Sequence, residues 1–470
     1  MSSKRILLIL SIFLVFTMLI SACNAAETVV EEPAAEEPTV EEPTQPSEEE
    51  PAEEEAAEEE AAEEDTAEEE AEVEEVTLTI LHNWGPDDAK GPIFQSIAEE
   101  FMAQNPDIVI EQEIIPDEEI FTKVEVSFVG GEESDLVFQN YFGPSLAWVD
   151  DGVTIPVTDY LTEWGLEKYY IDAALAQYTR SDGEVAAFPL EGFNWPIWYN
   201  TAIFEEAGVD IPTTSEEMIE VAEAIRAAGY EPFAIGGSDW TGARLHQMFM
   251  VSGLSEAETQ ELLANGGFTE SESALAAMQA FVEWRDSGVF AENAEGLEFS
   301  SMNELFFSGQ AAMMHGGSWS YAEAPEDLMP VIELGGLPVT DLGAFDQPTA
   351  WAGFSAKGIH ITRNGSQKMD AVERFVTFFM QPENMVKFVE ETGMVPPYKN
   401  LDVDESALNP LFVKSLSLPE SITYVIPAEL VIPGPVIELW DKVAFDAFIP
   451  NGMSAEEILA ALDEVYAQSQ

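Results

Sequence analysis

The chain changes character at Val76, and that break confines what can fold. Residues 24–75 hold 24 glutamates and Asp65, no lysine or arginine, and otherwise little but Ala, Pro, Thr and Val. Low hydrophobicity with high like charge cannot bury enough apolar surface to offset chain entropy. Pro33, Pro38, Pro43, Pro46 and Pro51 interrupt the first half. In the Glu/Ala-rich second half, like charges four residues apart oppose any helix. The stretch is expected to be a solvated, self-repelling tether, with a coil reach of about 40 Å before charge extends it. What can fold begins near Val76 and runs for 395 residues, enough for two lobes with cores of their own.

Upstream lies a short leader. Lys4 and Arg5 precede an apolar run of 15 residues, Ile6 to Ile20, where a spanning helix needs about 20. Small residues, Ser21 and Ala22, lead up to Cys23. A charged start, an apolar middle and a small-residue end predict a secretory signal over residues 1–22. Cysteine directly after such a cut resembles the bacterial lipobox, in which the thiol is diacylated. Cys23 is the only cysteine of the chain, so no intramolecular disulfide can form. Two acyl chains would anchor it durably to a membrane. The expected location is lipid-anchored and extracytoplasmic, on the outer face of the cytoplasmic membrane or in a periplasm.

The chain carries 91 acidic and 17 basic residues; setting aside the tether's 25 acids and the leader's two bases leaves 66 and 15, a net charge near −51 on the body. Such a body repels nucleic acid and anionic membranes. His82, His246, His315 and His360 are dispersed, without metal-ligand spacing. There is no nucleophile elbow or phosphate-binding glycine loop, and no repeat of solenoid period. No cofactor or metal is expected.

Strand-like and helix-like segments alternate through the body, as in an α/β protein. Val76–Leu81 alternates as a strand and runs into the loop His82-Asn83-Trp84-Gly85-Pro86. Ile93, Ile97 and Phe101 then follow at helical spacing, and Asn105-Pro106 stops the helix. Ile108–Ile115 and Asp135–Phe138 are further strands. Asp182-Gly183, between Gln177–Arg180 and Glu184–Phe188, predicts a hairpin. Thr214-x-x-Glu217 and Ser454-x-x-Glu457 are capping boxes. Gly229 ends the first of those helices. Pro382 opens a helix that Gly393 ends.

One segment is more specific than the rest. Asp182-Gly183-Glu184-Val185, Phe188-Pro189-Leu190, Trp198-Tyr199-Asn200, Phe204–Val209, Ile211–Thr214 and Glu231–Gly237 follow in order. Trp148–Gly152 and Ile155–Leu161 precede them. Phe306–Met313 leading to Gly317-Ser318-Trp319, Gly353–Ile361 and Gly393–Pro396 come after. This series resembles the extracellular solute-binding proteins of carbohydrate ABC transporters, the group that includes maltose-binding protein, over essentially all of residues 76–470. The resemblance implies a two-lobed α/β fold of the type II periplasmic-binding-protein kind, with hinge crossings and a ligand cleft between the lobes. Lobe one would be 76–190 plus 340–398, and lobe two 191–339 plus 399–470. It also implies capture of a sugar or oligosaccharide by lobe closure, delivery to permease subunits on other chains, and a monomeric binder.

A sugar presents apolar C–H faces, which pack on aromatic rings, and hydroxyls, which pair with planar carboxylates and amides. A site built to pair those hydroxyls rejects ligands that lack them. By resemblance Trp319, after Gly316-Gly317-Ser318, sits where the family stacks a tryptophan on sugar. Trp351, before Gly353, is the second candidate. Loop position and neighbours add Asn83 and Trp84, then Gln139, Asn140 and Tyr141, then Glu191, Phe193, Asn194 and Trp195 beside the expected hinge, and Asp239 with Trp240. Trp148, Trp164, Trp284 and Trp440 are expected in the core. The maltose binders carry an acidic residue after the strand matching Asp135–Phe138, a tryptophan just beyond that strand, and a glutamate at the position of Phe193. This chain departs from all three, so the resemblance implies a ligand class rather than maltose. Two other readings stay open. A secreted glycosidase could nominally pair Glu191 with Asp239, and a binder of another solute, such as a polyamine or peptide, would suit the acidic body.

Overall fold

The computed structural model describes residues 75–469. The leader, Cys23 and the acidic segment up to residue 74 lie outside the described residues. Among the described residues eleven strands alternate with helices and form two sheets. In chain order they are β1 (Val76–His82), β2 (Ile108–Ile114), β3 (Leu136–Gln139), β4 (Thr154–Ile155), β5 (Phe188–Trp195), β6 (Ile197–Asn200), β7 (Glu231–Ala234), β8 (Ala311–His315), β9 (Ile332–Gly335), β10 (Thr349–Thr362) and β11 (Thr423–Val425).

The first sheet runs β11-β10-β3-β1-β2, with β4 and β5 also paired to β10. β1 lies parallel to β2 and β3, and β10 antiparallel to β3. The helix Lys90–Gln104 covers it, burying Ile93, Phe94, Ile97 and Phe101 at the spacing the sequence shows. These residues join Leu78, Ile80, Phe138, Phe375 and Phe379 in one core. The second sheet is β7-β8-β6-β9. Its core gathers Trp198, Phe233, Met248, Phe249, Phe281, Trp284 and Met313, and takes in Trp440, Leu462 and Tyr466 from the C-terminal helices. A smaller cluster of Leu81, Ile120, Val124, Val137, Trp148 and Val153 adds to the first lobe, and the protein is a two-lobed α/β molecule.

Local signals hold where they rest on near neighbours. Thr214 and Glu217 form the expected capping box on Ser215–Ala228, as do Ser454 and Glu457 on Ala455–Gln468. Gly229 and Gly393 end their helices in the left-handed conformation that glycine adopts freely. Around Asp182-Gly183 the pairing is a single bridge, Thr179 to Val185. Gln177 and Tyr178, expected as strand, instead finish the helix Asp172–Tyr178, which ends in the loop that precedes the turn.

Two antiparallel strands, β5 and β10, join the lobes. Phe188 and Leu190 pack in the first core, Phe193 and Trp195 in the second; likewise Ile359 packs in the first and Trp351 in the second. The return to the first lobe thus falls inside β10, later than residue 340, because one 14-residue strand continues through both cores. Its register against β5 shifts on either side of Lys357. Away from these strands the lobes also touch. Phe142, after β3, packs on the second core and lies 5.7 Å from Phe121 of the first lobe. A β-carbon on Gly434 would stand 3.1 Å from the Gly143 carbonyl oxygen.

Candidate functional site

The strand period places Glu191, Phe193 and Trp195 on one face of β5 and Asn194 on the other. Each finds a different partner. Glu191 is buried and forms an ion pair with Lys90, Nζ to Oε1 2.6 Å. Lys90 begins the helix Lys90–Gln104, its backbone N–H donates to Asp88 Oδ1, and its ammonium lies 5.7 Å from the Trp84 ring centre. Trp84 itself is a wall of the first core, against Phe94, Phe138 and Phe388. Asn83 is half-buried, and its Oδ1 is enclosed without a hydrogen-bond partner.

Phe193 and Trp195 lead into an aromatic cluster in the second lobe. Trp319 lies 4.8 Å from Trp195, edge to face, 5.8 Å from Trp240 and 6.4 Å from Phe193. Trp240 continues to Phe299 at 5.4 Å, and Trp195 stacks on His315 at 4.6 Å. Gly317 underlies Trp319: a β-carbon there would stand 2.2 to 2.4 Å from the outer atoms of the indole. Trp319 and Trp240 remain half-buried, while Trp351, 5.8 Å from Trp195, is fully buried. The indole N–H groups of Trp319 and Trp351 are enclosed and have no acceptor.

On the opposite face, Asn194 ties the crossing strand to the second lobe. Its Oδ1 accepts from the Tyr321 hydroxyl, its amide donates to Ser415 Oγ at 3.4 Å, and its backbone N–H donates to Ser318 Oγ at 3.4 Å. It therefore fixes the turn that carries Trp319.

A second polar group forms at the end of β3. Gln139 is buried, donates to the Asp117 carbonyl and accepts from Asn140 N–H and from Lys357 Nζ at 3.2 Å. The Asn140 amide donates to Asp117 Oδ2 at 3.2 Å, and Lys357 pairs with Asp117 Oδ1. Tyr141 is turned away and stacks on Tyr178 at 4.9 Å. Asp239, expected at the ligand, caps the helix Trp240–Gly253 instead, accepting from Thr241 N–H, Thr241 Oγ1 and Phe299 N–H. Burial pushes its carboxyl above the usual carboxylate range against those bonds.

Across from these groups the second lobe supplies Arg244, buried between Glu429 at 2.6 Å and Asp441 at 2.8 Å. Burial raises both carboxyls, and Asp117 from the first lobe adds to the rise at Glu429. The Glu323 carboxyl is likewise pushed up, by partial burial first, with Asp88 of the first lobe contributing.

The structure thus unites Phe193, Trp195, Trp240, Trp319 and Trp351, and sets Glu191 at the end of the same strand face. Lys90, Lys357, Asp117, Arg244 and Glu429 are additions. The one sequence signal for the lysines is scarcity, two buried lysines in a body with 15 bases. Trp148, Trp284 and Trp440 are core residues, and Trp164 stacks between Tyr160 and Phe188. No group of three His, Cys, Asp or Glu side chains among the described residues is placed to hold a metal ion. Ion-paired carboxylates beside half-buried indoles can accept from hydroxyls and pack against apolar C–H faces.

A two-lobed fold with a polar and aromatic seam at the crossing strands defines a solute-binding protein. Residues 85–386 match the bacterial extracellular solute-binding protein family, and the chain belongs to it. It is similar to the solved structure of a probable secreted solute-binding lipoprotein from Streptomyces coelicolor, 32% identical with a TM-score of 0.70, covering 83% of this chain and 98% of that one. It shares its fold with a chitin oligosaccharide binding protein, 22% identical with a TM-score of 0.75, covering 84% and 99%. It is also similar to the multiple sugar-binding protein of Streptococcus mutans, 23% identical over 329 residues, 67% of this chain and 75% of that protein. The family is one of extracytoplasmic binders rather than of enzymes. No helix among the described residues is long and apolar enough to cross a membrane.

Proposed function

We propose that this protein is the substrate-binding lipoprotein of an ABC import system and captures a sugar or oligosaccharide between its lobes. The observation that carries the reading is the seam along β5. A buried carboxylate, Glu191, leads on one strand face to Phe193, Trp195 and the Trp319 cluster, with an unpartnered indole N–H at Trp319. Relatives that bind multiple sugars and maltotriose support the ligand class. The contacts proposed for the ligand are Trp319, Trp240, Glu191, Lys90, Asn83 and Asn140.

Closure follows from the seam's position. β5 and β10 cross between the lobes, so bending them opens or closes the groups they carry. A ligand that touches both sides favours the closed form by its differential contact alone. Closed protein would dock on a permease of other chains, and Cys23, lipidated, would hold the monomer near it. Calorimetry against a panel of neutral oligosaccharides tests the reading. At least one should bind, and Trp319→Ala should remove most of that affinity with the fold intact. Binding unchanged in Trp319→Ala would take that residue out of the site, and cleavage of the bound oligosaccharide would favour the glycosidase reading.

A further inference from the structure

We infer that the cleft excludes carboxylate-bearing sugars and takes neutral or amine-bearing ones, a selection imposed by its ion pairs. This rests on the sugar-binding reading above and adds the charge of the ligand. Three cations stand around the seam, and each is already engaged. Lys90 is held by Glu191 at 2.6 Å. Lys357 is held by Asp117 and by Gln139 Oε1 at 3.2 Å. Arg244 lies between Glu429 and Asp441 at 2.6 and 2.8 Å. Lys90, Lys357 and Arg244 are all buried, and so are Glu191 and Glu429, so an incoming anion that took Lys90 or Arg244 would strand the displaced carboxylate in a poorly solvated place.

The remaining charges point the same way. Asp88 belongs to the first lobe and Glu323 to the second; besides burial, the charge of Asp88 adds to the rise of the Glu323 carboxyl while Lys90 opposes it. Asp117 and Glu429 form a second such opposition. With Glu191 and Asp441 there are six carboxylates against three cations. Closing the lobes on a uronate would add a seventh negative charge where water is being expelled. A hydroxyl donates to these oxygens, and an ammonium is attracted by them. A binding protein for acidic sugars needs a cation left free for its ligand, and none of these three is free.

The test uses the whole protein and a panel of maltotriose, cellotriose, N-acetylated chitotriose, the deacetylated chitosan trimer and trigalacturonate, measured by calorimetry at low salt. The tightest neutral ligand is then compared with its counterpart oxidised to the uronate at C6. The uronate should bind at least tenfold more weakly, and the gap should shrink in high salt. Glu191→Gln, which frees Lys90, should narrow the gap. Asp88→Asn, whose amide oxygen can still accept from the Lys90 backbone N–H, should narrow it too and guards against a fold defect in the first variant. A uronate that binds as tightly as its neutral counterpart would overturn the charge selection and leave sugar binding standing. Failure of every sugar in the panel to bind would overturn the sugar reading, and this inference with it.

Discussion

Gly317→Ala separates the placement of Trp319 from the integrity of the fold. Gly317 has φ −87° and ψ 170°, ordinary extended backbone, so alanine brings no conformational strain. The added β-carbon would meet Trp319 Cη2, Cζ3 and Cζ2 at 2.2, 2.3 and 2.4 Å. The indole must therefore withdraw by about 1 Å to restore ordinary contact at ~3.5 Å. Because Trp319 is half-buried and faces the seam, it can swing outward, and the stability loss should lie near the lower end of the 1–3 kcal/mol range for overpacking. Affinity should suffer more. A displaced ring forfeits one stacked face, roughly 80 Å² of apolar contact worth about 2 kcal/mol, or about 30-fold in Kd.

The assay is calorimetry with the tightest-binding neutral sugar, alongside a thermal unfolding midpoint. Trp319→Phe on the Gly317→Ala background supplies the control. Phenylalanine lacks the outer ring atoms that collide, so it should recover the lost stability, and the cycle should show coupling of 0.5 kcal/mol or more. Affinity within twofold of wild type in Gly317→Ala would refute the claim that Gly317 seats a ligand-facing tryptophan.

Three further outcomes follow from the charges. Lys90→Met leaves Glu191 buried and unpaired and should lower stability by about 3–5 kcal/mol, whereas Lys90→Met with Glu191→Met should recover most of it; equal losses in single and double variants on denaturant unfolding would contradict the pairing. His246 is fully buried, which drops its imidazole to about 3, while the unfolded chain titrates near 6.5. A depressed base adds stability above pH 6.5 that is lost as pH falls toward 3, so His246→Gln should flatten the stability curve by about 1.4 kcal/mol per pH unit between pH 4 and 6; an unaltered slope would show that the site titrates normally. The body's net charge near −51 should make its unfolding midpoint rise from low salt to 1 M sodium chloride as self-repulsion is screened, and a flat or falling midpoint would count against it.

The sequence made visible what short-range chemistry decides. Thr214 and Glu217 sit one turn apart, so their capping box is legible in four letters. Ile93, Ile97 and Phe101 reveal their helix by spacing alone. Trp148, Trp284 and Trp440 are betrayed by apolar neighbours. What stayed hidden needs partners far along the chain. Lys90 meets Glu191 across 101 residues, and Lys357 meets Asp117 across 240. Gln177 and Tyr178 look extended because a turn follows them, yet packing against β10 keeps them helical; Tyr178 lies directly against Gly358. Asp239 beside Trp240 looked like a sugar contact, but its carboxylate caps the helix that Trp240 begins. Residue type alone does not separate an acid that caps from one that faces solvent.

The position of the seam on β5 decides what closure can sense. Glu191, Phe193 and Trp195 share one strand face, but Glu191 is fastened to Lys90 of the first lobe and Trp195 packs on Trp319 of the second. Between them Gly192 donates its N–H to Val395 and leaves no room for a side chain, with Phe354 and the Gly353 carbonyl within 2.7 and 2.8 Å of a β-carbon built there. The register irregularity of β10 around Lys357 falls beside the same place. A bend there would move the carboxylate end of the site relative to its aromatic end. If the ligand lies as proposed, one long enough to put hydroxyls on Glu191 and a C–H face on Trp319 would hold the two ends together, whereas one that reaches a single end would leave the hinge free. Ligand length would then be a condition for closure, and a monosaccharide should bind without the compaction in small-angle scattering expected of an oligosaccharide. Equal compaction by both would mean that the two ends of the seam move as one body.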